Sequence, residues 1–258
     1  MNAISIKSKE EIEIMRAGGR ILASVLQRVS ESVRPGTSAA QLDKLARELI
    51  FSSGGRPSFL DYKPGGSGEG YPAALCVSIN DEIVHGIPTA GKIISEGDIV
   101  KLDLGVEYKK LHTDATVMVG VGKISPLAEK IMRITKESLE LGIKEIKPGS
   151  SLNEYALAVE EHALKNEFEI VRDLVGHGVG YSVHEPPQVF NYADRRMKEI
   201  ILQEGMTLAL EPMVNEGTFE IVLAKDGWTY KTRDGKLNGH WEHTVVVTKN
   251  GCEVLTKV

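Results

Sequence analysis

Four acidic residues fall into two pairs at related places in this chain. Asp103 and Asp114 lie eleven positions apart in "KLDLGVEYKKLHTDATV", Lys101 to Val117, while Glu211 and Glu242 lie in "LALEPM" and "WEHTVVV". In the first stretch Val100, Leu102 and Leu104 alternate with Lys101, Asp103 and Gly105, and Thr116 and Met118 continue the face of Asp114. Both arms therefore have the period of a β-strand. A tight turn centred between Tyr108 and Lys109 would set Asp103 directly opposite Asp114, where like charges destabilise the pair. Carboxylates gathered in an interior either raise one another's pKa and take up protons, or bind cations. Oxygen donors suit hard or borderline metals, and an added imidazole moves the preference toward first-row transition ions. Of seven histidines, His85, His177, His184, His240 and His243 fall in or beside the segments that carry these acids or their repeats. "LVGHGVGYSVHEPP" is the densest, and the glycines flanking His177 permit close backbone approach at a crowded site.

The elements that must position these groups repeat along the chain. "EEIEIMRAGGRILASVLQRVSESV" has apolar residues at Ile14, Ile21, Val25 and Val29 in helical spacing, with Ser8 and Glu11 as a capping box. Pro35 and Gly36 end it, and Ser38 with Gln41 starts a second helix. Pro148, Gly149, Ser151 and Glu154 stand 113 positions after Pro35, Gly36, Ser38 and Gln41. "VHGIP" from Val84 returns as "VHEPP" from Val183, "EGDIVKLD" from Glu96 as "EGMTLALE" from Glu204, and "TDATVMV" from Thr113 as "WEHTVVV" from Trp241. Four echoes in one order predict two related halves, roughly 8–125 and 126–258, each a helical segment followed by a β-rich one. The echo maps Asp103 onto Glu211 and Asp114 onto Glu242, so each half gives one carboxylate from each of two β-like segments. A metal site between the halves is the expectation.

Composition narrows the class of protein. The chain has 258 residues, 41% apolar and 26% charged, which fits a soluble globular fold with a substantial core. Its 31 basic and 36 acidic residues give a net charge of −5, against nucleic-acid or anionic-membrane binding. Lys109, Lys110 and the Arg195, Arg196, Lys198 group read as solvated loop charge. "MNAISIKSKEEIEIM" has no signal-peptide apolar region, and no run approaches the roughly 18 apolar residues of a membrane span. Cys76 and Cys252 are too few for a disulfide framework, so a reducing compartment, the cytoplasm, is expected.

Together "DLGVEYKKLHTDAT", "GHGVGYSVHEPP", "LALEPM" and "WEHTVVV" resemble the type I methionine aminopeptidases of the M24 metallopeptidases, over nearly the whole chain. The resemblance implies an α+β pita-bread fold: two pseudo-twofold-related αβ halves, antiparallel sheets forming the core and helices outside, making residues 1–258 a single catalytic domain. It implies Asp103, Asp114, His177, Glu211 and Glu242 as ligands of two divalent ions (Co, Mn, Fe, Zn or Ni), with Asp114 and Glu242 bridging. Glu211 would also shuttle a proton, His184 would stabilise the oxyanion, and His85 would contact substrate or assist proton transfer. Tyr62, Tyr71, Cys76 and Trp228 match the positions that enclose the substrate methionine. The implied reaction removes the N-terminal methionine before a small second residue by attack of metal-activated water. The implied partners are nascent polypeptide N-termini and the ribosome, with the protein a monomer.

One departure and three rivals belong with that resemblance. Between Tyr62 and Tyr71 "YKPGGSGEGY" is several residues longer than the usual family segment, and Gly65 to Gly70 reads as a mobile loop at the pocket mouth that modulates access of longer peptides. Xaa-Pro peptidases share the fold and the five ligands but typically have Pro-Gly after the position of Glu211 and a large extra N-terminal domain; here Pro212 and Met213 follow. Type II enzymes usually carry a helical insertion, for which the interval from His184 to Glu211 has little room. A metal-free binding module of the same fold would have lost ligands, and all five are present.

Overall fold

The computed structural model describes residues 4–66 and 68–257. Helix α1 (Lys9–Ser30) starts on the Ser8–Glu11 capping box, and α2 (Ala39–Ser52) on Ser38–Gln41. In both, the serine hydroxyl and the acid or amide three residues on satisfy backbone N–H groups that the first helical turn leaves open. The buried face of α1 is Met15, Gly18, Gly19, Leu22, Ala23, Val25, Leu26 and Val29; Ile14 and Ile21 lie at its margin. Gly19 is required there, because a Cβ would stand 2.2 Å from the carbonyl oxygen of Leu255. Helices α3 (Pro126–Glu145) and α4 (Leu152–Lys165) are the second pair. Ser151 caps α4 by accepting from the Asn153 N–H, and Glu154 takes no part in the cap.

Every strand pairing is antiparallel. In the first half the strand Ile99–Tyr108 is bordered by Leu75–Ile79, Leu111–Gly120 and Arg56–Pro57. The second half orders Gly251–Val254, His243–Thr248, Thr207–Leu210, Gly176–Gly178 and Glu185–Val189 into one sheet. Leu22, Leu26, Leu42 and Ile50 pack on Val100, Leu102, Leu104 and Val106; Ile131, Ile134, Tyr155 and Val159 pack with Leu208, Leu210, Val245 and Val247. Each such side chain stabilises the fold by about 1.5–3 kcal/mol. The opposite face of Ile99–Tyr108 is buried too, and it carries Lys101 and Asp103. Alternation in this strand therefore separates an apolar interior from a polar one, not interior from solvent.

Some contacts recur in both halves. Gly36 N–H donates to Ile94 O and Gly149 N–H to Leu202 O, both at 2.8 Å, and Ser38–Ile93 and Ser151–Ile201 are matching β-bridges. They meet where Thr116 and Glu242 exchange backbone hydrogen bonds of 3.1 and 3.4 Å. The basic residues Arg195, Arg196 and Lys198 are exposed on a short helix, as are Lys109 and Lys110 on their turn.

The register of the first hairpin differs from the sequence expectation. Tyr108 pairs with Leu111, so the turn is Lys109-Lys110, Asp103 faces Thr116 and Asp114 faces Gly105. Lys109 (φ 48°) and Lys110 (φ 67°) are both left-handed, as the two-residue turn matching strand twist requires. A centre one residue earlier would have put that backbone on the part-buried Tyr108 instead of on two exposed lysines. The acids are thus diagonal neighbours, which relieves their repulsion. Replacing Lys109-Lys110 by Asn-Gly is expected to stabilise the protein by about 1 kcal/mol, because asparagine and glycine bear positive φ at lower cost. The check is a higher urea midpoint at unchanged slope.

Candidate metal centre

Asp103 and Asp114 come from the two arms of the first hairpin. Glu211 follows the strand Thr207–Leu210 and Glu242 precedes His243–Thr248, one step beyond the His243–Leu210 pair. His177 stands opposite Ala209, two residues from Glu211 and on the same face. Its flanking glycines serve close strand approach: a Cβ on Gly176 would lie 2.5 Å from Ala209 O, and one on Gly178 2.2 Å from Pro186 O. All five side chains are buried and line one cavity of about 510 Å³.

Coordinating atoms of Asp114, His177 and Glu242 lie within 4.8 Å of one another. His177 Nδ1 is 2.9 Å from Gly178 O, and a carbonyl only accepts, so the proton is on Nδ1. That leaves an Nε2 lone pair 3.4 Å from Glu211 Oε1. Burial pushes the His177 pKa down to about 3, so no imidazolium forms to relieve this contact. Asp114 Oδ1 and Glu242 Oε1 are buried without a hydrogen-bond partner. Burial raises Asp103 to about 7. Burial and then the neighbouring carboxylates raise Asp114, Glu211 and Glu242 well above the usual range. A lone pair, two orphaned oxygens and four desolvated acids fit cations of the kind expected for mixed oxygen and nitrogen donors.

Around this cluster the remaining expected residues converge. His85 lines the cavity with a left-handed backbone (φ 58°), and burial lowers its pKa to about 4. His184 stands at the exposed mouth, its ring 4.3 Å from that of His177 and its Nδ1 2.7 Å from the Tyr62 hydroxyl. Lys7 clamps its loop from beneath: the buried ammonium pairs with Glu185, whose other oxygen accepts from the N–H groups of Tyr181 and Ser182. Tyr62, Tyr71, Cys76 and Trp228 share one apolar cluster with Phe59 and Val183. Tyr71 packs edge-on to Trp228 at 5.2 Å and donates to Gly86 O, while Cys76 pairs with Asp103 across the strands. Pro64 also lines the cavity, at the start of the Gly65–Gly70 segment, whose Ser67 lies outside the described residues.

Sequence reasoning missed several members. Thr116 Oγ1 donates to Glu242 Oε2 at 3.0 Å, and Thr244 Oγ1 accepts from Asp114 N–H and donates to Asp114 O. The signal was present: a threonine two places after each acid, in "DAT" and "EHT". Phe59, Leu174 and Tyr230 line the cavity with no motif to mark them. His240 Nε2 reaches 3.5 Å from Glu211 Oε2. His243 instead turns away to Thr256.

The metallopeptidase family M24 model matches residues 13–249. The chain is 44% identical to the methionine aminopeptidase of Escherichia coli over 255 residues, 98% of this chain and 94% of that one. The chain belongs to the M24 metallopeptidases, among the methionine aminopeptidases. Its structure is similar to the crystal structure of methionine aminopeptidase from Thermotoga maritima, with a TM-score of 0.94 at 41% identity, covering 99% of this chain and 100% of that one. The prolidase of Pyrococcus furiosus shares the fold, with a TM-score of 0.77 at 24% identity, over 98% of this chain and 65% of that one. The α+β pita-bread architecture is thus common to both, and this member is a metal-dependent aminopeptidase of the hydrolase class.

The charge cluster sets a pH dependence. Between about pH 7.5 and 8.5 the depressed imidazoles are neutral in the folded chain and almost wholly neutral in the unfolded one. In that window, without metal, the raised carboxylates hold protons that the unfolded chain has lost, so stability falls as pH rises. Buried Lys101, lowered to about 7, works in the opposite direction but is one group against the three carboxylates raised furthest. Chelated protein is therefore expected to melt lower at pH 8.5 than at pH 7.5, and a saturating divalent ion to remove most of that slope by replacing the protons. Thermal melts at both pH values check this.

Proposed function

We propose that the whole chain acts as one catalytic unit, its halves 8–125 and 126–258 meeting at a two-metal site, and that it removes the N-terminal methionine from nascent chains and peptides whose second residue is small. Asp103, Asp114, His177, Glu211 and Glu242 would hold the ions. The observation that carries this reading is the His177 Nε2 lone pair set 3.4 Å from Glu211 Oε1, beside the unpartnered Asp114 Oδ1 and Glu242 Oε1. Only a proton or a cation makes that contact favourable. When bound, the ions supply Lewis acidity that lowers the pKa of water and polarises the scissile carbonyl.

The rest of the chemistry belongs to side chains. Glu211, kept basic only when cations offset its neighbours, takes the proton of the attacking water on a carboxylate oxygen and returns it to the departing amine nitrogen. His184, neutral and at the cavity mouth, presents an N–H to the substrate carbonyl oxygen as negative charge develops there. His85, fixed by its left-handed backbone, contacts the peptide from the other half. Tyr62, Tyr71, Cys76 and Trp228, with Phe59, form an apolar wall suited to an unbranched thioether side chain. Among the described residues no helix is long and apolar enough to cross a membrane. Action as a monomer on chains emerging from the ribosome in the cytoplasm is consistent with this reading.

Reconstituted protein is expected to cleave Met-Gly peptides, to lose that activity to a chelator, and to regain it with divalent metal. Glu211→Gln should lower kcat by about 10²–10⁴-fold. Cleavage of Xaa-Pro peptides alone would overturn the substrate class, and chelator-insensitive turnover would overturn the mechanism.

A further inference from the structure

The two histidines whose rings meet at the cavity have different partners on Nδ1. In His177 the partner is a carbonyl, which forces the proton onto Nδ1 and frees Nε2 as a lone pair. In His184 the partner is the Tyr62 hydroxyl at 2.7 Å, which can either donate or accept. Among the described residues the phenol has no other hydrogen-bond partner, so within the protein the acceptor for its proton is His184 Nδ1. A phenol O–H donating to Nδ1 obliges a neutral ring to carry its own proton on Nε2.

We propose that Tyr62 is a positioning residue that sets the tautomer of His184, making Nε2–H the group offered to the substrate carbonyl oxygen. This rests on the reading of His184 as the donor to that oxygen. Adjacent rings would then be given opposite chemistry by their Nδ1 partners: a metal-facing lone pair on His177 and a substrate-facing donor on His184.

The backbone holds Tyr62 where this requires. Its N–H donates to Phe59 O and its carbonyl accepts from Tyr71 N–H, both at 2.9 Å, while Asp61 N–H donates to Tyr71 O at 2.9 Å. Asp61 is left-handed (φ 62°), and a Cβ on Gly70 would stand 2.7 Å from its backbone. The long segment between Tyr62 and Tyr71 is therefore closed at its base, so the extra residues do not displace the phenol from His184.

The test is Tyr62→Phe, which keeps the ring in the methionine pocket and removes only the hydroxyl. Histidine-labelled full-length protein, metal-free, is measured by 15N NMR, with His184 assigned by the signals lost in His184→Asn. The parent is expected to show His184 protonated on Nε2, and Tyr62→Phe a mixture of tautomers. In the metal-loaded enzyme Tyr62→Phe should lower kcat about tenfold, with little change in KM for Met-Gly peptides, and should add nothing in a His184→Asn background. A parent protonated on Nδ1, or a His184 tautomer unchanged by Tyr62→Phe, would overturn the proposal. If His184→Asn itself leaves kcat intact, the role of His184 as donor falls, and the spectra still decide the tautomer.

Discussion

Negative charge without water is the constraint around which this molecule is arranged. Asp103, Asp114, Glu211 and Glu242 are each less than a tenth exposed, and charges desolvated to that degree are costly unless compensated. They are brought together by backbone geometry rather than by attraction. The paired hydrogen bonds between Thr116 and Glu242 join the first hairpin to the second sheet, and two strand positions and two strand ends then have to share one cavity. The helices outside supply the apolar burial that offsets this, since Leu102 and Leu104 face α1 and α2 while Asp103 between them faces the site.

Cation binding and fold stability are therefore one equilibrium read in two ways. A folded chain with no cation must hold protons on several of these acids, and a cation displaces them. The two threonines refine the arrangement. Thr116 spends its hydroxyl proton on one oxygen of Glu242, which leaves Oε1 as the orphan. Thr244 ties the backbone of Asp114 rather than its carboxylate, so Oδ1 is also free. Each half thus orients one acid of the cluster, Thr116 acting on Glu242 and Thr244 on Asp114, and the free oxygens face the cavity without a partner.

How much of this could be read beforehand depended on the range of the interaction. Capping boxes at Ser8 and Ser38 are local, and both form as the sequence predicts. The repeat, an order of motifs, located all four acids in the two halves. Register was not legible, because it turned on which residues could bear positive φ, and neither lysine at the turn advertises that conformation. The tautomers were less legible still. Whether Nδ1 meets a carbonyl or a phenol depends on Gly178 and Tyr62, one adjacent and the other more than a hundred residues away.

The repeat is also informative where it fails. In the second half, Glu211 and Glu242 sit one step past the Leu210–His243 pair and approach the direct opposition expected for the first, whereas Asp103 and Asp114 are diagonal. The acids correspond, but their neighbours do not. Asp103 has Cys76 across the strand, continuous with Phe59, Tyr71 and Trp228, so the first half turns its side of the cavity into an apolar wall. The corresponding strand of the second half carries His177 between glycines, with His184 beyond it, so that side presents imidazole. Equivalent carboxylates put cation binding near the axis between the halves, while unlike surroundings give the cavity one side for an apolar side chain and one for a polar backbone. A strictly symmetric cavity would present the same face to a ligand in two opposed orientations; the divergence of Cys76 and His177 from their counterparts makes the two orientations unlike.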